Sequence, residues 1–365
     1  MKIVWCGILI LLSFLMHSYA AASEGRVALL PFENISGQAN IAVVVMPKIR
    51  KALEGKGYSL LAEDDVEKLL HENRIRKTSG ISIKNARIFR EKLGVEYIVV
   101  GGFHLSAVVK DNPQFGLSAK IVSSDDASIL WAESAGATGD DFTRILGFGT
   151  IKSMETLIAR VVDSLFRSLP HAGHEFNGKH QVLSLPRGIF RHLYKTSVVD
   201  YFKKDELKGG PPLRVAVMPF ENLTERAGSA KIVTNVFVTE LFKAGIYDVV
   251  ELGEADEKVI EGNVWVYGGV NYEGIKRLGK ELKVDAIIIG SVETYNEGLK
   301  SETTLPEVEL YARMLSAREG EDGSIIWTCH SFKRGKDTQI VLEFGIVKSM
   351  VPLVANAIKE MVGTL

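Results

Sequence analysis

The chain carries one block of sequence twice. An early marker is RVALLPFEN at residues 26–34, which returns as RVAVMPFEN at 214–222. A late marker is FGTIKSM at 148–154, which returns as FGIVKSM at 344–350. Each copy spans about 150 residues, which is enough to bury a core of its own and too many for a solenoid repeat. The duplication therefore predicts two similar globular domains.

Each copy has the same order of hydrophobic patterns. A short apolar run ends at Pro and a polar loop, and a helix follows whose apolar residues are four apart, such as Val45, Ile49 and Leu53. Pro47 falls within that pattern and predicts that the helix starts near it or is kinked. The order β-α-β-α-α-β-β-β-α predicts an α/β fold of two homologous domains, each a mixed β-sheet with helices packed on it.

The repeats divide the chain into four segments. Residues 1–22 combine Lys2, an apolar stretch and small residues near Ala20, which is typical of a signal peptide. An uncleaved membrane anchor is the alternative, although the apolar stretch is short for a span. The other predicted segments are the first domain at 23–169, a histidine-containing linker at 170–212 and the second domain at 213–365. Within the linker, Ile189–Phe202 predicts a short helix.

Charge and cysteine usage narrow the class of protein. The 44 basic and 45 acidic residues are well mixed, so no basic field indicates nucleic acid. Cys6 comes too early in the apolar stretch for a lipid-bearing cysteine, so we expect a periplasmic protein that is not a lipoprotein. After signal cleavage one thiol remains, that of Cys329, and it cannot form an internal disulfide. Its alternating sequence context predicts a half-buried strand position.

The Pro-Phe-Glu-Asn loops are the first candidate site. They leave the end of a strand and precede a helix, a place where α/β proteins often bind ligands. Their polar residues are Glu33 and Asn34 in one copy and Glu221 and Asn222 in the other. The alternative is structural: Pro ends the strand, Phe packs inward, and Glu-Asn begins a capped loop.

The linker histidines are the second candidate. His171, His174 and His180 are close in sequence, and neutral imidazole is a good metal ligand. A solvated loop is the alternative, because metal sites are normally held rigid by further contacts. No phosphate-binding loop, Gly-x-Ser-x-Gly elbow or His-Glu-x-x-His pair is present in the sequence. We therefore predict no cofactor and no enzymatic activity.

Two stretches carry a family resemblance. The opening at 214–222 and the apolar run at 284–291 resemble the CsgG/TolB amino-terminal-like superfamily of bacterial envelope proteins, and both copies share the pattern. The resemblance implies non-catalytic work in the periplasm, through protein contacts or envelope assembly. It departs from CsgG-like channels, because the candidate inserts at 108–115 and 297–306 are too short and polar for membrane strands. It departs from TolB, because a second copy takes the place of the propeller.

The predicted function is protein binding or envelope assembly in the periplasm, with unidentified envelope proteins as partners and no nucleic acid. No stable membrane span is expected after signal cleavage. Two copies of one surface could also bind two identical sites. One alternative is a subunit of a CsgG-like oligomeric ring or secretion assembly, with self-association. Another is a small-molecule binder or enzyme that uses the Pro-Phe-Glu-Asn loops.

Overall fold

The computed structural model describes residues 25–143, 149–176, 197–204, 210, 212–261, 272–299, 304–320, 323–339 and 345–365. The predicted signal peptide at 1–22 and much of the predicted linker lie outside these residues. The signal peptide, the anchor alternative and the domain boundaries therefore stay predictions.

The first repeat forms a sheet that we call sheet A. Its strands are β1 (Arg26–Leu29), β2 (Glu33–Asn34), β3 (Ser59–Leu60), β4 (Tyr97–Val109), β5 (Asn112–Ser123) and β6 (Ile129–Thr138). Its α-helices are α1 (Ile41–Gly55), α2 (Glu63–Glu72), α3 (Ile83–Leu93) and α4 (Met154–Leu165). The strand order is β3-β1-β4-β5-β6, and β2 pairs with β4. The first three of these strands are parallel, and β4, β5 and β6 are antiparallel.

The second repeat forms sheet B with the same arrangement and one added strand. Its strands are β7 (Val198–Lys203), β8 (Arg214–Val217), β9 (Glu221–Asn222), β10 (Asp248–Val249), β11 (Ala286–Asn296), β12 (Glu307–Ser316) and β13 (Ile325–Arg334). Its α-helices are α5 (Ser229–Ala244), α6 (Leu252–Glu261), α7 (Tyr272–Leu282) and α8 (Met350–Val362). The strand order is β10-β8-β11-β12-β13-β7, and β9 pairs with β11.

The predicted fold class is confirmed, and two local predictions are wrong in part: a helix start near Pro47 and a helix over residues 198–202. Helix α1 begins at Ile41, well before Pro47, because burial of its apolar stripe on sheet A outweighs the loss of one backbone donor. Of the predicted linker helix Ile189–Phe202, residues 198–202 form strand β7 instead, and residues 189–196 lie outside the described residues. The β-branched and aromatic residues there favour a strand, and β13 offers its free edge to pair with it.

The two repeats stack on one another with the equivalent faces of their sheets turned the same way. Helices α1 and α4 cover the outer face of sheet A, where they form one apolar cluster with its strands. Helices α2 and α3 share the inner face of sheet A with α5 and α8, which belong to the second repeat and also pack on the inner face of sheet B. Helices α6 and α7 cover part of the outer face of sheet B. The central core is therefore built from both repeats.

Small residues on sheet A admit the helix of the second repeat. A methyl group placed on Gly116 would lie 2.6 Å from the Val351 side chain, and one on Gly136 would lie 3.0 Å from it. Glycine at these two strand positions therefore allows α8 to approach the sheet closely.

A buried ion pair joins the two repeats. Lys120 of β5 lies 2.5 Å from Glu251, which immediately precedes α6, and both side chains are almost completely buried. The other carboxylate oxygen of Glu251 accepts hydrogen bonds from the backbone N–H of Ile81 at 2.9 Å and of Gly253 at 2.5 Å. The carboxylate is thus fully engaged, which is the condition under which a buried charge is tolerated.

Candidate functional site

The Pro-Phe-Glu-Asn motif has the same packing role in both repeats. A methyl group on Gly101 of β4 would lie 2.5 Å from the Phe32 ring and 2.5 Å from the Ser118 carbonyl oxygen. The equivalent Gly290 of β11 has the same 2.5 Å relation to the Phe220 ring. The Phe ring therefore packs directly over a glycine of the central strand, and the structural interpretation of Pro-Phe holds in both copies.

The two asparagines organise the loops that follow. The Asn222 side-chain oxygen accepts hydrogen bonds from the Thr224 N–H at 3.0 Å and the Ser229 hydroxyl at 2.8 Å. Its amide donates to the Arg226 carbonyl at 3.0 Å. Asn34 makes a matching set within its own loop. These contacts use the side chains as local turn formers.

We expect Asn222→Ala to lower the free energy of unfolding by about 1 kcal/mol, because the loop loses several hydrogen bonds on a partly solvated side chain. Urea denaturation followed by circular dichroism measures this loss. Asn222→Asp is the matched control, since it keeps the accepting oxygens and should lose less. If Asn222→Ala left the unfolding midpoint unchanged, the loop-forming role would be contradicted.

The two glutamates of the motif have different surroundings. Glu33 forms an ion pair with Lys231 of α5, so it belongs to the contact between the repeats. Glu221 is half-buried, borders a cleft on the outer face of sheet B, and has no ion-pair or hydrogen-bond partner among the described residues. The two glutamates are equivalent in the sequence repeat, but in the structure Glu33 is paired with Lys231 and the side chain of Glu221 has no such partner among the described residues.

The predicted metal ligands lie at the end of the first repeat. The rings of His171 and His174 are exposed, with centroids 6.4 Å apart in an edge-to-face arrangement. His180 lies outside the described residues. Within the described ranges, no group of three or more potential ligands is placed to hold a metal ion. A metal site that includes His180 stays a prediction.

Cys329 lies on β13 and faces the central core. Its side chain is buried, and burial raises the pKa of the thiol to about 11. The thiol is therefore protonated at neutral pH and is a weak nucleophile.

The part of the outer face of sheet B that α6 and α7 do not cover forms a polar and aromatic surface. We call it the outer platform. It comprises Asp200, Glu221, Ser291, Glu293, Glu309, Tyr311, Arg313, Thr328 and His330. Most of these residues line one cleft of about 600 Å³. The platform is therefore a concave surface of a size that admits several side chains of another molecule.

A ring stack lies at the centre of the outer platform. The rings of Tyr311 and His330 are parallel within 8°, and their centroids are 4.0 Å apart. His330 Nε2 lies 3.0 Å from Glu309 Oε1, and His330 Nδ1 lies 3.8 Å from Asp200 Oδ1. On the neighbouring strand, the Ser291 hydroxyl donates to Glu293 at 2.7 Å. The aromatic centre is thus held in place by a rim of carboxylates.

The strand register identifies the equivalent positions in the two sheets. Gly101 pairs with Ala119 in sheet A, and Gly290 pairs with Ala312 in sheet B. From these pairs and the next strand, the equivalent positions are Gly116 and Glu309, Ser118 and Tyr311, Lys120 and Arg313, Ala132 and Thr328, and Ser134 and His330.

The residues at these equivalent positions differ in size between the two sheets. Sheet A has Gly, Ser or Ala at all of them except Lys120, and this face is covered by the second repeat. Sheet B has larger polar or aromatic residues at the same places, and no described element covers this part of its face. Sequence reasoning missed the platform, although aligning the two copies strand by strand shows the change from small to large residues.

A second cleft, of about 490 Å³, lies between the repeats at the start of α5. It is bordered by Lys77 and Gly80 of the first repeat and by Glu221 and Lys231 of the second. Lys77 is paired with Asp256 at 3.0 Å, and Lys231 is paired with Glu33. The cations of this cleft are therefore used in holding the repeats together.

Among the described residues, no helix combines the length and the apolar character needed to cross a membrane.

No protein-family model matches the chain, and no curated protein matches it. Several solved structures are similar to parts of the chain, at low identity and low TM-score. The PelC dodecamer from Paraburkholderia phytofirmans is 15% identical with a TM-score of 0.30, and the match covers 44% of this chain and 94% of that one. Lipoprotein GNA1162 from Neisseria meningitidis is 16% identical with a TM-score of 0.29, and the match covers 40% and 99%. The LpoB C-terminal domain from Salmonella enterica is 15% identical with a TM-score of 0.25, and the match covers 32% and 84%.

These similarities concern the fold and carry no argument about function. At these TM-scores they also carry no argument about family. The CsgG/TolB assignment of each copy stays a prediction. The expectation that this chain carries no lipid also stays a prediction.

Proposed function

We propose that this protein is a non-catalytic binding module of the bacterial cell envelope, exported to the periplasm, which engages another envelope protein through the outer platform. The observation that carries the proposal is the contrast between equivalent faces of the two sheets. One face is built from small residues and covered, whereas the other is built from large polar residues and open. Aromatic and arginine side chains on a concave surface are typical of protein interfaces.

The stacking of the two repeats lowers the expected number of binding surfaces from two to one. The hypothesis of two identical sites requires the same face to be open in both repeats. In the structure, the inner face of sheet A is covered by α5 and α8 of the second repeat. For this face the chain therefore offers one site, and the proposed binding is monovalent.

The second candidate function is that of a ring subunit. In such a ring, neighbouring chains would stack on one another as the two repeats do within one chain. This arrangement would place the first repeat of one chain on the outer platform of another. Alignment of Met154 with Met350 puts Glu155 where Val351 packs, so Glu155 would meet Glu309 on the platform. Like charges brought together in this way are unfavourable, so the internal stack is a poor template for a ring. A self-assembly through other surfaces is left to the experiment below.

The small-molecule alternative relied on the Pro-Phe-Glu-Asn loops. In the first repeat, Glu33 is engaged by Lys231 and Asn34 by its own loop. That copy is therefore occupied by structural contacts. Only Glu221 of the four predicted residues borders the outer platform.

Site-specific photo-cross-linking in cells tests the proposal. A photoreactive amino acid replaces Ile325, which is 44% exposed beside the platform, and the matched control replaces Lys51 on the exposed side of α1. We expect a discrete adduct with a different protein from position 325, none from position 51, and loss of the adduct when Tyr311→Ala and Arg313→Ala are combined. Adducts containing only this chain would favour the ring, and no adduct at position 325 would contradict the proposal.

A further inference from the structure

Two charge pairs within the chain show how this fold recognises the unit stacked on it. On sheet A, Glu33 binds the ammonium of Lys231, and the ammonium of Lys120 binds the carboxylate of Glu251. Lys231 and Glu251 both belong to the second repeat. The inner face of sheet A therefore receives a lysine at one place and a carboxylate at another.

The equivalent positions on sheet B carry the same charges and are open. Glu221 is the motif counterpart of Glu33, and Arg313 is the register counterpart of Lys120. Both line the cleft of the outer platform. Neither side chain has an ion-pair or hydrogen-bond partner among the described residues. The platform thus has the charge pattern of the internal contact without the partner groups.

The charge balance of the platform favours a cation. Its carboxylates are those of Asp200, Glu221, Glu293 and Glu309, and the opposing cation is Arg313. Desolvation and then the charges of Glu309, Asp200 and Glu293 raise the pKa of the Tyr311 hydroxyl above its ordinary value. The ring stack of Tyr311 and His330 presents an aromatic face, which attracts an ammonium group. Carboxylates around an aromatic face are suited to a lysine side chain.

A second copy of this chain does not supply that lysine through the internal stacking mode. The first-repeat counterpart of Lys231 is Val43, because Val45 aligns with Val233. Lys231 itself lies on helix α5 of the second repeat, and α5 is packed against sheet A of its own chain. A second copy stacked in the internal mode would therefore leave the platform without its complementary lysine.

We infer that the outer platform binds a lysine-bearing segment of another protein, with Glu221 receiving the ammonium as Glu33 receives Lys231. The Tyr311–His330 stack lies beneath this segment, and Arg313 pairs with an acidic residue of the same partner, as Lys120 pairs with Glu251. This inference rests on the proposed function and specifies the chemistry that the platform recognises.

The first test uses the full mature chain and two labelled probes, acetylated tetralysine and acetylated tetraglutamate. Fluorescence anisotropy at low salt should show binding of tetralysine and none of tetraglutamate. Because the contact is between charges, Glu221→Gln should weaken tetralysine binding about 5- to 10-fold, and Arg313→Gln should strengthen it about 2-fold. Glu54→Gln, an exposed position at the end of α1, is the control and should leave it unchanged.

The opposite signs for Glu221 and Arg313 separate recognition from loss of folding, which would weaken binding in both variants. Equal binding of the two probes, or equal binding by Glu221→Gln and the unsubstituted chain, would overturn the inference.

The second test applies Glu221→Lys and Arg313→Glu to the in-cell adduct formed at position 325. We expect each substitution to reduce its yield about 10-fold, since like charges then face each other. A strong adduct that is insensitive to both changes would sink the lysine inference and leave the binding module standing. The absence of any adduct at position 325 would instead remove the proposed function.

Discussion

Replacing Glu251 by alanine is expected to lower the free energy of unfolding by about 3–5 kcal/mol, because it leaves the charge of Lys120 buried without a partner. Lys120 and Glu251 are 2.5 Å apart and almost completely inaccessible to solvent. The substitution also leaves the backbone N–H groups of Ile81 and Gly253 without the carboxylate oxygen to which they now donate hydrogen bonds. The expected loss is a large part of the stability of a typical folded protein.

The measurement is urea denaturation of the mature chain, followed by circular dichroism. Glu155→Ala is the matched control: it removes the exposed partner of Lys48, a pair 3.3 Å apart, and should change stability by less than about 0.5 kcal/mol. Lys120→Met, alone and combined with Glu251→Ala, completes a double-mutant cycle that isolates the coupling between the two side chains. A loss below about 1 kcal/mol for Glu251→Ala would contradict the buried pair as a major contact between the repeats.

The second large effect is a dependence of stability on pH that comes from His104. The side chain is completely buried, and its Nε2 lies 2.7 Å from the Ser118 hydroxyl. Burial, and then the positive charge of Arg226, lower the pKa of the imidazole from 6.5 to about 3. The folded protein therefore holds His104 neutral, whereas the unfolded chain protonates it below pH 6.5.

The sign follows from this difference in bound protons. Between about pH 6.5 and pH 3 the unfolded state binds the additional proton, so the stability due to neutral His104 is complete above pH 6.5 and declines as the pH falls. At pH 5 the loss amounts to about 2 kcal/mol, at about 1.4 kcal/mol per pH unit. His104→Gln cannot take up a proton, so its stability should fall less between pH 7 and pH 5.

Denaturation curves at pH 7 and pH 5 for the unsubstituted chain, His104→Gln and His104→Asn measure this effect. The difference in pH dependence between the unsubstituted chain and the variants separates the contribution of His104 to stability from that of the carboxylates that titrate in the same range. Parallel pH profiles for all three chains would contradict a buried neutral His104. Because Arg226 belongs to the second repeat and His104 to the first, the same measurement reports on the stack.

Much of the fold could be predicted because its signals are local or repeated. The apolar stripe of α1, the β-branched run of β11 and the polar turns of the hairpins each fix an element within a short stretch of chain. The glycines at 101 and 290 recur with the Phe of the motif because each pair must fit together within one repeat. The expected helix start at Pro47 and the expected helix over residues 198–202 were wrong, since in both places packing or pairing with a sheet outweighed local preference.

The candidate site could be predicted only in part. The sequence singled out Glu221 because it belongs to a motif, but it gave the same weight to Glu33. Tyr311, Arg313 and His330 lie on strands whose alternation predicts one polar face, and nothing in that alternation says whether the face is covered. The difference between Ser118 and Tyr311 becomes informative once the neighbours of each are known.

The sequence by itself determined the two repeats, the order of their strands and helices, and the faces that are apolar, because these follow from periodicity along the chain. The tertiary structure decided how the repeats stack and which of two equivalent faces stays open. Those outcomes depend on contacts between residues that are far apart in the sequence. Lys120 and Glu251 are separated by 131 positions, and Lys231 and Glu33 by 198 positions. Such contacts leave no local pattern, so the open platform emerges from the folded chain alone.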